Sequence, residues 1–152
     1  MIDQFILELK SNSVIDNPLS IQVQNASFQI SQNPMWSRGY KDSNGVAILG
    51  NKTHGLTHFS YRNGNPDDYL SNILKQLREA GEEQLEAVVI GGASTHFKRI
   101  IKLLGAQYIP LGQTYWDISN EPKDLVILPT TREVILYSSA RGEYGQGYIQ
   151  LA

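Results

Sequence analysis

The chain has 152 residues, of which 41% are hydrophobic and 18% are charged, and its net charge is −2. A chain of this length and composition is typical of one soluble globular domain, and its charge excludes a general electrostatic attraction to nucleic acid. The chain has no cysteine, which excludes disulfide bonds, thiolate metal sites and thiol catalysis.

The first half of the sequence favours strands. Short segments alternate apolar and polar side chains or form apolar runs, as half-buried and buried strands do. Between them, residues 37–45 are polar and predict a loop, in which Asn44-Gly45 suits a backbone with positive φ. The predicted strands are residues 20–24, 26–31, 46–49 and 56–61. The last two are close enough in sequence to pair as a hairpin.

The second half interleaves helices with strands. Pro66, followed by two aspartates, is typical of a helix N-terminus, and apolar residues at helical spacing predict a helix over residues 66–80. A second helix is predicted from Ser94 or Thr95 to Gly105. The predicted strands are residues 85–90, 106–111, 124–129 and 133–137, of which the last two form a hairpin.

This order of elements predicts an α+β fold in which helices are layered on a sheet. The domain is expected to cover residues 21–138. Residues 1–20 are expected to be an N-terminal extension packed on it, and residues 139–152 a glycine- and tyrosine-rich tail, with 142–148 as an exposed arm. Tyr115 and Trp116 are placed in a polar loop, where Trp116 either packs across the sheet or contributes to a partner surface.

The joint between the strand at 85–90 and the following helix contains Gly91-Gly92-Ala93-Ser94. Backbone N–H groups at a helix N-terminus can bind an anion or an oxyanion. The alternative is that the glycines only permit a tight turn. Because the joint has no Walker lysine and is not Gly-x-Gly-x-x-Gly, nucleotide binding is not expected.

His58 lies in the predicted strand Gly55-Leu56-Thr57-His58-Phe59, and a histidine there is either structural or a proton-transfer group. Ser43 could act as a nucleophile if His58 were its base. A metal site formed by His54, His58 and His96 is not expected, because strand residues four apart are about 13 Å from each other.

The order strand, polar loop, short strand, Gly55–Phe59, helix, Gly91–Ser94 joint, helix and terminal hairpin resembles the chemoreceptor glutamine deamidase (CheD-like) family over roughly residues 21–138. The resemblance implies a layered α/β/β fold, which some toxin deamidases share. In that family a cysteine attacks a glutamine carboxamide, a histidine transfers protons and a threonine orients the histidine.

Transferred to this sequence, the family histidine corresponds to His58. The family cysteine corresponds to Asn44, which follows Asp42-Ser43, and the threonine falls near Ser37 or Arg38. Because asparagine is not such a nucleophile, the resemblance implies a catalytically degenerate domain that binds a protein or a small amide ligand around His58. The residues Gly91, Gly92 and Ser94 would contribute to binding.

Two alternatives to the degenerate domain are open. The first is an active amidohydrolase or protein deamidase that uses Ser43 with His58 as general base, and the second is that a natural cysteine has been replaced by design. The resemblance implies a bacterial, chemotaxis-related protein with a possible protein partner, and a toxin-like effector role is also open. No cofactor, metal, nucleic acid or membrane partner is expected.

The N-terminal residues lack the basic flank and the long apolar core of a signal peptide, and no segment is apolar enough to cross a bilayer. A cytoplasmic location is therefore expected, with secretion by a non-classical route left open.

Overall fold

The computed structural model describes residues 13–24, 26–40, 43–59, 65–91, 94–116, 123–138 and 143–150. These residues form an α+β fold with two five-stranded sheets. The first sheet contains, in spatial order, β1 (Ile21–Gln22), β3 (Met35–Tyr40), β8 (Lys123–Leu128), β9 (Glu133–Ser138) and β10 (Glu143–Gln150). The second sheet contains β2 (Ser27–Ser31), β5 (His54–Phe59), β4 (Asn44–Leu49), β6 (Glu86–Gly91) and β7 (Leu111–Trp116).

The two sheets face each other, and two helices cover the outer face of the second sheet. The helices are α1 (Pro66–Glu79) and α2 (Ser94–Ala106). Apolar residues of both sheets, including Leu56, Val88 and Leu125, form the core between the sheets. A second core joins the helices to the second sheet. A helical turn at residues 13–15 places Val14 against Val126 and Ile135 on the outer face of the first sheet.

The alternation of side chains along β4 and β5 divides the residues between the two cores. In β4, Val46 and Ile48 pack against the helices, whereas Ala47 and Leu49 face the first sheet. In β5, Phe59 packs on the helical side. Leu56 lies in the core between the sheets, and His54 and His58, two residues to either side of it, share its face of the strand. Both histidines therefore lie in the layer between the sheets.

The structure confirms several predicted elements. The hairpins β4–β5 and β8–β9 are antiparallel pairs, and α1 agrees with the helix predicted over residues 66–80. Its N-cap is Asn65, whose side chain accepts a hydrogen bond from the backbone N–H of Asp67. No helix in the described part of the chain is long and apolar enough to span a membrane.

Three predicted elements are wrong. The loop predicted over 37–45 is largely strand, because β3 runs from Met35 to Tyr40 and β4 begins at Asn44. The strand predicted over 106–111 is β7 (Leu111–Trp116), so Tyr115 and Trp116 belong to a strand and not to a loop. The expected arm at 142–148 is β10, which pairs with β9.

The second of these errors has a local cause at the end of α2. The helix does not end at Gly105. Instead Tyr108, with φ of 56°, turns the chain out of the helix. The backbone N–H groups of Tyr108 and Ile109 donate to the carbonyls of Gly105 and Leu104, which is the hydrogen-bond pattern of a Schellman motif. A tyrosine at that position gives no sequence signal, since glycine is the usual residue there.

Candidate functional site

The site centres on the imidazole of His58, which lies between the two sheets and is 3% exposed. Its Nε2 atom is 2.7 Å from Ser43 Oγ, and its Nδ1 atom is 2.8 Å from Ser37 Oγ. Ser43 directly precedes β4, whose Gly45 pairs with His58, whereas Ser37 comes from β3 of the opposite sheet. The imidazole therefore bridges two hydroxyl groups from different sheets.

The partners of Ser37 determine which atom donates and which accepts in the hydrogen bonds from Ser43 through His58 to Ser37. Ser37 Oγ is 2.6 Å from the carbonyl oxygen of Val23 and donates its single proton to it. Ser37 Oγ can therefore only accept from His58, so the imidazole proton is on Nδ1. The Nε2 atom then has a free lone pair and accepts from the Ser43 hydroxyl. This is the tautomer that a general base for Ser43 requires.

Burial keeps the imidazole neutral. It lowers the pKa of His58 from 6.5 to about 4, because the charged form is poorly solvated between the sheets. At neutral pH the Nε2 lone pair is therefore available.

A β-bulge in β3 brings two side chains to His58. The pairing of β3 with β8 shifts register between Ser37 and Tyr40, and Gly39 has φ of 82°. In a regular strand, residues three apart point to opposite faces, but the extra residue of the bulge turns both Ser37 and Tyr40 toward the layer between the sheets. Gly39 suits the bulge because glycine adopts positive φ without strain.

The carboxylate of Asp124 holds this bulge in place. It accepts a hydrogen bond from the backbone N–H of Gly39 at 3.3 Å and lies 3.4 Å from Arg38 Nε. Asp124 is 4% exposed, and its burial raises the pKa of the carboxyl, with the Gly39 N–H and Arg38 opposing that shift. The bulge is thus fixed by a side chain from the neighbouring strand β8.

The aromatic ring of Tyr40 lies flat against the imidazole. The ring centroids are 4.0 Å apart and the planes differ by 15°. The phenol hydroxyl donates to the carbonyl oxygen of Thr57 at 2.8 Å, and burial raises the pKa of Tyr40 above its usual value, so the hydroxyl remains a donor. Gly45 makes room for the ring, since a Cβ atom there would be 2.6 Å from Tyr40 Cε1.

Asn44, which the resemblance placed at the nucleophile position, does not face His58. Side-chain alternation puts it on the helical side of β4, with Val46 and Ile48. Its Nδ2 atom is 3.5 Å from the carbonyl oxygen of Ile90, and its buried Oδ1 atom has no hydrogen-bond partner. The residue beside the imidazole is Ser43.

The two described ends of the glycine joint, Gly91 and Ser94, lie at the same edge of the second sheet. Ile90 pairs with Gly45, β6 ends at Gly91, and α2 begins at Ser94. The N-terminus of α2 is thus at the edge where Ser43 precedes β4. Gly92 lies outside the described residues.

His54 does not join the site, and the side chain of His96 lies outside the described residues. His54 lies at the other end of β5, where its Nδ1 atom accepts from the backbone N–H of Gly50 at 3.2 Å. His96 is a residue of α2. No group of three or more histidine, aspartate or glutamate side chains in the described part of the chain is arranged to hold a metal ion.

The sequence predicts Ser43 and His58 as site residues, gives Ser37 no clear role and does not point to Tyr40 or Asp124. The one sequence signal for the bulge that turns Ser37 and Tyr40 toward His58 is Gly39, because an isolated glycine in a strand indicates a bulge. A search of protein-family models finds no family that matches this chain, and a search of curated proteins finds no match to it.

Proposed function

We propose that this protein is a serine-dependent hydrolase of amides or esters, with a deamidase-like α/β/β fold. One observation carries the proposal: the hydrogen-bonded series from Ser43 through His58 to Ser37 and the Val23 carbonyl. A hydroxyl nucleophile, a base in the required tautomer and a group that orients the base are the three parts of such a catalyst.

The reaction would proceed in two acyl-transfer steps. Ser43 Oγ attacks the carbonyl carbon of the substrate while its proton passes to His58 Nε2. His58 then returns that proton to the leaving amine or alcohol as the bond to the carbonyl carbon breaks, which leaves an acyl group on Ser43. A water molecule deprotonated by His58 releases the acid and restores the Ser43 hydroxyl.

Ser37 would act during both steps by holding the imidazole. When His58 takes up a proton it becomes a cation, and its Nδ1–H bond to Ser37 Oγ then becomes a charge-assisted bond. The N-terminus of α2 at this sheet edge adds a favourable potential for developing negative charge.

A glutamine carboxamide is the preferred substrate within this proposal. The order of elements that resembles glutamine deamidases, and the helices layered on one face of two stacked sheets, support that choice. In this version Ser43, His58 and Ser37 take the roles of the family cysteine, histidine and threonine.

A fluorophosphonate probe tests the nucleophile directly. The full chain would be incubated with the probe and the labelled residue located by peptide mass spectrometry, with Ser43→Ala and His58→Asn as test variants. Ser71→Ala is the matched control, because Ser71 is an exposed serine of α1. We expect labelling of Ser43 only, lost in both test variants and kept in the control. Absence of label from Ser43 in the folded protein would refute the proposal.

Ser43→Cys tests the amide substrate. The variant places a thiol beside the lone pair of His58, and a thiolate is the stronger nucleophile toward a carboxamide. Glutamine-containing peptides should then gain the mass difference of glutamine-to-glutamate conversion faster than with the wild-type protein. Ser37→Cys is the control, because its thiol would face the protonated nitrogen. Equal rates for both cysteine variants would argue against an amide-hydrolysing site.

Binding without chemistry is a second candidate function, and the burial of the site favours it. Ser43 is 7% exposed and His58 is 3% exposed, and all polar atoms of the series already bond to one another. A degenerate domain that binds a protein or a small amide around His58 would need no more than this scaffold. It is the conclusion to draw if Ser43 reacts with no probe and no substrate is hydrolysed.

A further inference from the structure

Tyr40 contacts both the imidazole of His58 and the backbone that carries it. Its ring is stacked on the imidazole, and its hydroxyl donates to the carbonyl oxygen of Thr57, the residue before His58. Tyr40 is 2% exposed, so both contacts are protected from water. The side chain thus fixes the ring and the chain segment of His58 at the same time.

The surrounding backbone is shaped to admit this one side chain. The bulge at Gly39 turns Tyr40 to the same face as Ser37, and the Asp124 carboxylate holds the bulge. On the opposite sheet, Gly45 leaves the space that the ring fills. Three features from β3, β4 and β8 therefore converge on the position of one aromatic ring.

We propose that Tyr40 is a positioning residue for the reaction assigned to this site, which fixes the plane and the tautomer of the His58 imidazole. An imidazole hydrogen-bonded at its two nitrogens can still tilt about the line that joins them, and a flip about the Cβ–Cγ bond would carry both nitrogens away from Ser37 and Ser43. The stacked ring opposes both motions. The inference rests on the proposed function for its catalytic meaning, but the geometry that it predicts can be measured without any substrate.

The direct test uses nitrogen NMR of His58 in the full chain. In the wild-type protein we expect a neutral imidazole protonated on Nδ1, with a pKa of about 4. In Tyr40→Leu we expect a mixture of His58 tautomers, because the imidazole can then move. The pKa of His58 should also move toward 6.5, because water can then reach the imidazole. Tyr40→Phe keeps the ring and should keep the tautomer.

Tyr69 supplies the matched control. Its hydroxyl also donates to a backbone carbonyl, that of Ala26 at 2.9 Å, and its ring packs edge-on against Phe28 and Phe59. Tyr69→Leu therefore removes an equivalent set of contacts on the helical side of the sheet. It should lower stability without changing the tautomer or the pKa of His58.

A second pair of variants displaces the ring without replacing Tyr40. In Gly45→Ala the new Cβ would be 2.6 Å from Tyr40 Cε1, whereas in Gly55→Ala it would be 2.6 Å from Ile73 Cδ1 on the helical side. Both substitutions overpack a strand glycine to the same degree. Only Gly45→Ala should alter the His58 spectrum and, if the protein is a hydrolase, lower kcat by about 10- to 100-fold.

The outcomes separate this inference from the proposed function. An unchanged His58 tautomer and pKa in folded Tyr40→Leu and Gly45→Ala would overturn the positioning role, whether or not Ser43 is catalytic. Equal changes in the tyrosine variant and its Tyr69 control would also overturn it. An altered spectrum in the Tyr40 and Gly45 variants alone supports it, even if the probe never labels Ser43.

Discussion

The two histidines of β5 lie on the same face of one strand and have opposite hydrogen bonding. His58 donates from Nδ1 to Ser37 and presents its Nε2 lone pair to Ser43. His54 accepts at Nδ1 from the Gly50 N–H, so its proton is on Nε2, which is buried without a hydrogen-bond partner. Burial lowers the pKa of both. The contrast shows that the partners, and not the residue type, decide which histidine can act as a base.

Near His54, the carboxylate of Glu82 accepts hydrogen bonds from the backbone. Glu82 accepts from the N–H groups of Asn51, Lys52 and Thr53, which fixes the turn between β4 and β5. The burial of Glu82 opposes its ionisation, but these three bonds lower its pKa overall. Since the imidazole of His54 bonds to a backbone N–H and not to a hydroxyl, we assign it a structural role.

Replacing each histidine by asparagine should give the largest difference in hydrolytic activity between the end of β5 at His54 and the end at His58. In His54→Asn the amide oxygen of the new side chain can take the place of Nδ1 and accept from Gly50, so this variant should change hydrolysis by no more than a few-fold. If the protein is the hydrolase proposed above, His58→Asn removes its general base and should lower kcat/KM by about 10²- to 10⁴-fold. Ester and amide hydrolysis assays on folded variants measure this. Equal losses of activity in the two variants would contradict the assignment of a structural role to His54 and of proton transfer to His58.

Glu82→Ala tests the structural end. It leaves three backbone N–H groups, including that of the buried Thr53, without their carboxylate, and we expect a loss of about 3 kcal/mol in the free energy of unfolding. Urea denaturation measures the loss, and Glu79→Ala, an exposed residue at the end of α1, is the control. The His58 tautomer should not change. A loss no larger than that of the control would show that the turn is held by other contacts.

Acidification should destabilise the protein through both histidines. Above pH 6.5 His58 is neutral in the folded and unfolded states, and its contribution to stability is complete. Between pH 6.5 and about 4 the unfolded chain binds a proton that the folded protein does not, so stability falls as the pH falls. At about 1.4 kcal/mol per pKa unit, His58 accounts for about 3 kcal/mol of this loss.

Denaturation curves across that pH range separate the contributions of the two ends. His58→Asn should flatten the dependence of the unfolding free energy on pH, and His54→Asn should flatten it in the same direction, because its pKa is also lowered. His54→Asn also changes the titration of Glu82, because His54 contributes to the lowered pKa of that carboxyl, so the comparison of His58→Asn with the wild type is the one that isolates His58. If His58→Asn had the same pH dependence as the wild type, the imidazole would not be held neutral by burial.

The sequence reveals the parts of the site that depend on local patterns. The short apolar run at 46–49 and the strand predicted over 56–61 are close enough in sequence to predict the β4–β5 hairpin, and that hairpin alone brings Ser43 near His58. Ser37 and Tyr40 depend on the pairing of β3 with β8, whose residues are about 85 positions away in sequence. Their direction also depends on one positive φ at Gly39. Local pattern carries no signal of that long-range pairing, and Gly39 indicates a bulge only once its segment is known to be a strand, so the polar composition of 37–45 predicts a loop instead.

Ser37→Ala should have the smallest effect on activity. It is also the most specific test of the difference in tautomer between His54 and His58. Ser43 and His58 keep their direct bond, but Nδ1 loses its acceptor, so the imidazole becomes free to adopt the tautomer that His54 has. We expect kcat to fall about tenfold while KM stays constant, because only the orientation of the base changes. Ser37→Thr, which retains the hydroxyl, should recover most of the loss. Ser31→Ala, in β2 at the other end of the sheet, is the control. If Ser37→Ala retained full activity with His58 still protonated on Nδ1, another acceptor would have to hold that proton.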